Sequence, residues 1–250
     1  MIPSRGGPAP SIHVFAPRAQ PRIPQLASRT QTPYAQRTHH DRYTRLRTDQ
    51  APPTHGEQTY PETMSDIIIP GIGSLEPTPA LDHLDLLAPP VAAALTALAE
   101  RGMATASSVL VVAIAPELAD TEVMTREFGM DLALSSNCIL VAGKRAGEER
   151  IAACVVRATT NADVNHVVKK RLDVRKASFW PQERAVEASG MEYGGITPVG
   201  VPGSWRLLID SACSVGWSCI GSGLRRSKLF VTGEVLAALP GAEIVEGLGV

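Results

Sequence analysis

Aromatic residues make up only 4% of this 250-residue chain, and cysteine occurs four times, at positions 138, 154, 213 and 219, with no Cys-x-x-Cys pair. That spacing argues against a zinc framework, and histidine partners are scarce, since only His83 and His166 lie beyond residue 63. Cys138, Cys154 and Cys219 stand in apolar, strand-like runs and read as free, buried thiols, so neither a metal nor another cofactor is expected. No run approaches the ~18 consecutive apolar residues that cross a bilayer, and the N-terminus has no apolar secretion signal. A soluble, cytoplasmic protein without a membrane partner is therefore expected. Hydrolase machinery built on a histidine base is missing as well: there is no Gly-x-Ser-x-Gly elbow after residue 63, and His166 falls in a helical pattern beside Lys169 and Lys170.

What is present is unevenly distributed. Residues 1–63 hold ten of the 20 prolines, eight arginines, six glutamines, four of the six histidines and no lysine. So little apolar surface cannot offset the entropy of ordering a chain, and this Pro/Arg/Gln-rich extension is expected to be disordered, with the functional domain spanning 64–250. The extension carries a formal +4 against −1 for the whole chain, which leaves −5 on the remaining 187 residues. Tight non-specific nucleic-acid binding scales with the Lys/Arg available to neutralise phosphates, so an acidic domain binds polynucleotides weakly by itself and is not expected to bind DNA.

After Met64 helix and strand signals alternate. Pro89 and Pro90 open an Ala/Leu-rich helix over Val91–Arg101 that Gly102 closes, the usual placement of proline in the first turn and glycine past the last. Ser108–Ala115 is a continuous apolar run of the kind buried on both faces of a sheet, and Pro116–Phe128, stopped by Gly129, predicts a helix after it. Cys138–Ala142 and Ile151–Val156, separated by a polar turn, predict a hairpin. A helix over Ala162–Leu172, a strand Arg175–Phe179 and a helix Pro181–Ser189 follow. Strands near 205–210, 217–220, 228–231 and 243–245 and a Thr232-capped helix Gly233–Leu239 complete the pattern. Hairpin strands beside helix-linked strands predict an α/β fold with a mixed sheet rather than a purely parallel one.

Two loops concentrate the chemistry. Gly190–Gly203 contains five glycines and two prolines, a composition that lets backbone approach a ligand closely while Pro198 and Pro202 stiffen it. Gly221-Ser-Gly-Leu-Arg-Arg-Ser-Lys228 offers backbone N–H groups for an anion-binding nest, with Arg225, Arg226 and Lys228 adding charge; the same residues equally describe a hairpin turn with solvated basic side chains. It has neither P-loop nor Rossmann spacing.

From about Asp120 to Leu248 the chain resembles the YbaK / prolyl-tRNA synthetase-associated domain family of trans-editing aminoacyl-tRNA deacylases. The residues that carry the resemblance are Ser135-Ser-Asn-Cys-Ile-Leu-Val-Ala142, Asp173-Val-Arg-Lys-Ala-Ser178, Gly194-Gly-Ile-Thr-Pro-Val-Gly200, Leu208-Ile-Asp210 and Gly221-Ser-Gly-Leu-Arg-Arg226. The resemblance implies a mixed, barrel-like sheet surrounded by helices, and hydrolysis of the ester joining a wrong amino acid, such as alanine or cysteine on a tRNA for proline, to the tRNA 3′ end. It implies that Gly194, Gly195, Ile196, Thr197, Pro198 and Gly200 line the aminoacyl pocket, and that Asp210, Gly221, Ser222, Gly223, Arg225 and Arg226 belong to the substrate site. The aminoacyl-tRNA 3′ end is the implied partner, with an aminoacyl-tRNA synthetase supplying the remaining tRNA contacts.

One departure stands out. Where many relatives carry a lysine at the mouth of the strand, this sequence has Asn137 or Ser136, which makes these two the candidate catalytic residues; Lys176, Lys228, Arg225 and Arg226 are the cations able to replace that charge from another element. The competing reading is a non-catalytic module that holds a small molecule or the aminoacyl-tRNA 3′ end and has lost the lysine.

Overall fold

The computed structural model describes residues 67–250; the expected disorder of 1–63 lies outside the described residues. Strand β1 (Thr78–Pro79) leads through two short 3-10 turns to α1 (Pro89–Glu100), followed by α2 (Ala104–Ser107) and β2 (Leu110–Ala113). Then come α3 (Thr121–Phe128), the hairpin β3 (Ser136–Arg145) and β4 (Glu148–Arg157), α4 (Lys169–Leu172), β5 (Ala177–Phe179) and α5 (Gln182–Ser189). Strands β6 (Arg206–Asp210), β7 (Trp217–Gly221) and β8 (Ser227–Thr232), helix α6 (Gly233–Ala238) and β9 (Ala242–Val245) end the chain.

Local chemistry explains these limits. Helix α1 begins with Pro89 and stops before Gly102, which takes a left-handed φ of 71°. The β3–β4 turn is two residues, Ala146 and Gly147, both with positive φ, so the hairpin runs longer than the apolar pattern indicates. The helix expected over 116–128 is broken: a 3-10 turn at Pro116–Leu118 is separated from α3 by Ala119 and by Asp120, which is extended. The expected helix over 162–172 is a π turn, Val164–Val168, running into α4, and it is capped by Asp163, whose carboxylate accepts from the His166 N–H.

The strands form two sheets. One is antiparallel, ordered β1-β2-β8-β7; the other is mixed, ordered β5-β3-β4-β6-β9, with β4, β6 and β9 parallel. The mixed sheet agrees with the sequence pattern, whereas no closed barrel forms among the described residues: the sheets meet at one bridge, Ser135 to Cys219. The mixed sheet is covered on both faces, because alternate residues of β4 and β6 enter different cores. Ala153, Val155, Leu207 and Ile209 pack with Val91, Leu95 and Leu98 of α1, while Ala152, Cys154, Val156 and Leu208 pack with Val168 and Leu172. Leu207, Leu208 and Ile209 are fully buried, each worth about 1.5–3 kcal/mol of apolar burial.

One edge of β3 is only partly covered. Beyond the Ser135–Cys219 bridge, β5 pairs with residues 141–143, and the Trp180 N–H donates to the Leu140 carbonyl at 2.8 Å. Between these points no strand pairs with β3 on that side. Backbone polar groups alternate sides along an antiparallel strand. The Leu140 carbonyl faces β5, and the Ser135 carbonyl accepts from Ala158 on the β4 side, so the backbone of Cys138 faces the gap.

A candidate aminoacyl site in the gap beside β3

The gap is a cavity of about 480 Å³. Its walls come from the start of β3, the broken segment ahead of α3, the β5–α5 connection, the Gly194–Ile196 loop and the ends of β7 and β8. Asn137 stands on one wall. Its Oδ1 accepts from the Thr121 hydroxyl at 3.4 Å, which leaves its amide hydrogens without a partner among the described residues. The break ahead of α3 therefore has a use, since it brings Thr121 and Asp120 to this wall.

Ser136 also borders the cavity, but its hydroxyl is committed elsewhere. It bonds Ser218 Oγ at 3.2 Å and receives Arg157 Nη1 at 3.4 Å. Arg157 is the staple of this corner, donating to the carbonyls of Ala212, Val215 and Trp217, each at 2.9 Å. The guanidinium fork ties β4 to the loop before β7 and thereby holds the two sheets together at the cavity's closed end.

The glycine loop meets the β7–β8 turn backbone to backbone. A Cβ on Gly221 would lie 2.2 Å from the Gly195 carbonyl oxygen, and one on Gly195 would lie 2.8 Å from the Leu224 backbone, so neither position admits a side chain in this packing. The Gly223 N–H donates to that same Gly195 carbonyl at 2.8 Å. Gly194, Ile196 and Gly221 face the cavity, whereas Gly195, Ser222 and Gly223 lie behind them, with Ser222 bonded to Ser227 at 2.7 Å.

The remaining sequence-derived candidates are placed elsewhere. Thr197 and Pro198 are buried outside the cavity lining, and Gly200 packs against the Pro90 carbonyl at the start of α1. Asp210 caps the turn after β6 through the Ala212 N–H at 2.9 Å and accepts from the Gly249 N–H at 2.7 Å. Arg225 and Arg226 border a shallower hollow that shares Gln182 and Tyr193 with the cavity. Arg225 is bonded to the Pro116 carbonyl at 3.1 Å and Asp120 at 3.4 Å, and Arg226 to the Asp85 carbonyl. The backbone N–H groups of Gly223, Leu224 and Arg225 donate within the chain, to Gly195, Ser222 and Glu192, so they do not form an open anion nest.

Several lining residues carry little sequence signal. Phe179 and Tyr193 are exposed aromatics at the mouth, 67% and 58% accessible, where an unpartnered ring invites stacking. Trp180 forms a wall, held edge-on to Trp205 at 5.3 Å between centroids and covered by the Arg184 guanidinium at 5.1 Å. Lys228, on β8 opposite Gly221 of β7 and Val112 of β2, lines the cavity and is only 7% exposed. It is the only buried cationic side chain among the described residues, and no hydrogen bond or ion pair joins its ammonium to them. Burial, together with the charge of Arg225, lowers its pKa, and Cys219 and Asp120 oppose that shift. Burial pushes the Cys219 and Cys154 thiols up to about 12 and the cavity-lining Cys138 thiol strongly upward as well, so these cysteines are protonated near neutral pH and are not nucleophiles. His166 lies on the surface, its Nδ1 on Asp163.

A mixed α/β domain thus carries, at a gap in one sheet, a cavity of mixed polarity whose walls hold the amide of Asn137 and the ammonium of Lys228. The sequence profile of the aminoacyl-tRNA editing domain matches residues 115–239. The chain belongs to that family. Among solved structures it is similar to a proposed trans-editing enzyme for prolyl tRNA synthetase, at 19% identity and a TM-score of 0.52 over 64% of this chain and 97% of that one. It is likewise similar to the hypothetical protein APE2540, at 18% identity and a TM-score of 0.52 over 62% of this chain and 97% of that one. A scaffold protein used for epitope backbone grafting also matches, at 18% identity and 0.52 over 66% and 99%. At such identities these likenesses concern the fold. No curated protein matches the chain. No described helix is long and apolar enough to cross a membrane.

Proposed function

We propose that residues 64–250 form an aminoacyl-tRNA deacylase that clears a small mischarged amino acid, such as alanine or cysteine, from a tRNA for proline. The observation that carries this reading is the cavity on the unpaired edge of β3, lined by the motif residues Asn137, Gly194 and Gly221 of an editing-domain sequence. An ester hydrolase needs donors where charge develops on the carbonyl oxygen, a positioned water and a seat for the leaving nucleoside. The backbone N–H of Cys138 faces the gap and is the donor for the ester carbonyl; the free amide hydrogens of Asn137 hold the terminal ribose hydroxyl beside it. Water adds to the carbonyl carbon, the bond from that carbon to the ribose oxygen breaks, one proton of the water passes to the ribose oxygen and the other to solvent, and the amino acid leaves as its carboxylate. Phe179 and Tyr193 give the terminal bases aromatic faces at the mouth, the usual way unpaired nucleotides are held. The −5 balance of residues 64–250 keeps the rest of the tRNA loosely bound, so a synthetase is the proposed partner for delivery.

Deacylation of alanyl- and cysteinyl-tRNA for proline is the test, with Asn137→Ala alongside. Turnover that falls by about 10²-fold in a folded variant supports the reading, that being a typical loss when one donor at an acyl-transfer site is removed. Absence of turnover by the wild-type chain on every mischarged tRNA refutes it and favours a binding module.

A further inference from the structure

The cavity holds a charge that the proposed reaction has not yet used. Lys228 is buried in its wall, and each element packed around the ammonium fails to neutralise it. From β7 comes Cys219, a protonated thiol near neutral pH, and from β2 comes uncharged Val112. From the β7–β8 turn comes Arg225, of like charge; from the segment ahead of α3 comes Asp120, which is largely exposed and bonded to Arg225. A cation on a buried side chain without a counter-ion is costly to keep, and the solvent that still reaches this one comes through the cavity.

We propose that Lys228 is a catalytic residue that receives an anionic oxygen of the substrate. It occupies, from β8, the role of a cationic anchor for which the cavity-lining stretch of β3, Ser136–Leu140, offers only the neutral Asn137. This inference rests on the reading of the cavity as the seat of an aminoacylated 3′ end. Two oxygens have the right chemistry. One is a phosphodiester oxygen next to the terminal nucleoside, which is present in the ground state; the other is the carbonyl oxygen, which becomes anionic only as water adds. The two sources separate kinetically, because a contact to the first lowers KM and a contact made only to the second raises kcat.

The decisive variant is Lys228→Met, which keeps an unbranched apolar stem out to Cε and removes the ammonium, with Lys228→Gln as the second variant should the first not fold. Deacylation by a folded variant should fall by about 10²-fold in kcat/KM, the loss expected when an electrostatic contact at an acyl-transfer site is removed. A phosphate contact places the change in KM and makes adenosine monophosphate bind the wild-type protein more tightly than adenosine, a difference that the variant abolishes. An oxyanion contact places it in kcat and leaves the two probes equal. Because the charged form does the work, the wild-type rate should decline as pH rises through the lowered pKa of the amine, and the variant should lack that limb. Unchanged kcat/KM in the variant overturns the role of Lys228 and leaves the editing function standing. If the wild-type chain deacylates nothing, the editing reading fails, and the two probes then decide Lys228 alone: a monophosphate preference lost in the variant keeps it as an anion site, and equal binding overturns it.

Discussion

Replacing Gly221 by alanine is the sharpest probe of how the cavity is built. Gly221 does not have a left-handed φ, so alanine brings no backbone strain and acts only through its Cβ. That atom would lie 2.2 Å from the Gly195 carbonyl oxygen and 2.8 Å from the Ile196 carbonyl oxygen, whereas ordinary contact begins near 3.4 Å. The glycine loop must therefore retreat by more than 1 Å, and the carbonyl it displaces is the one that accepts from the Gly223 N–H. Overpacking of this kind costs about 1–3 kcal/mol, and a weakened hydrogen bond adds about 1 kcal/mol. For a domain of this size the total corresponds to a Tm drop of roughly 4–16 °C. Misplacing the loop by about 1 Å should also reduce kcat/KM by about 10²-fold at temperatures where the variant is folded. Gly203→Ala is the control, because nothing lies within 4 Å of its Cβ position and its φ is not left-handed; it should be neutral, or more stable by about 0.4–1 kcal/mol. Differential scanning calorimetry and steady-state deacylation measure both quantities. If Gly221→Ala melts and reacts like Gly203→Ala, the backbone-to-backbone seating of the loop is refuted.

Two further outcomes are expected. Arg157→Ala removes the bonds to the carbonyls of Ala212, Val215 and Trp217, of which the first two are exposed and regain water, and should lower stability by about 1–2 kcal/mol, read as a Tm shift; Arg157→Lys should restore little of it, since one ammonium cannot reproduce the planar fork. Tyr193→Ala and Phe179→Ala, at exposed positions, should leave Tm unchanged and raise KM by about tenfold or more through lost base stacking, with kcat preserved.

Where sequence and structure agree, the physical signal is local. Proline at the start and glycine past the end delimit α1, and the polar interval between two apolar runs marks the β3–β4 hairpin, because each depends on backbone geometry over a few residues. The helix expected over 116–128 is broken because Asp120 turns extended ahead of α3, a tertiary outcome that helix propensity does not record. Strand β1, only two residues long, is likewise too short to leave a periodic pattern. The glycine loop was legible because close backbone contact demands glycine in any context. Lys228 is one of three cations in a turn that fits an anion nest and a solvated hairpin equally, and the resemblance assigns Arg225 and Arg226 to the site but not Lys228. Only the pleat of β8 distinguishes them: it turns Leu229 and Val231 to one core and leaves Lys228 and Phe230 on the face toward Cys219 and Met124.

The gap beside β3 has a consequence for selectivity. A recess formed where a stretch of strand is missing inherits the stiffness of the sheet around it, because its rear wall is the hydrogen-bonded β3–β4 hairpin and its ends are set by the Ser135–Cys219 bridge and the Trp180–Leu140 bond. Under the proposed function such a site would act as a fixed gauge, turning away amino acids too bulky to enter, with no steric means of refusing one smaller than its intended substrate. On that proposal, protection of correctly charged small residues would come from outside the gauge, through the identity of the tRNA or the company of the synthetase that made the error.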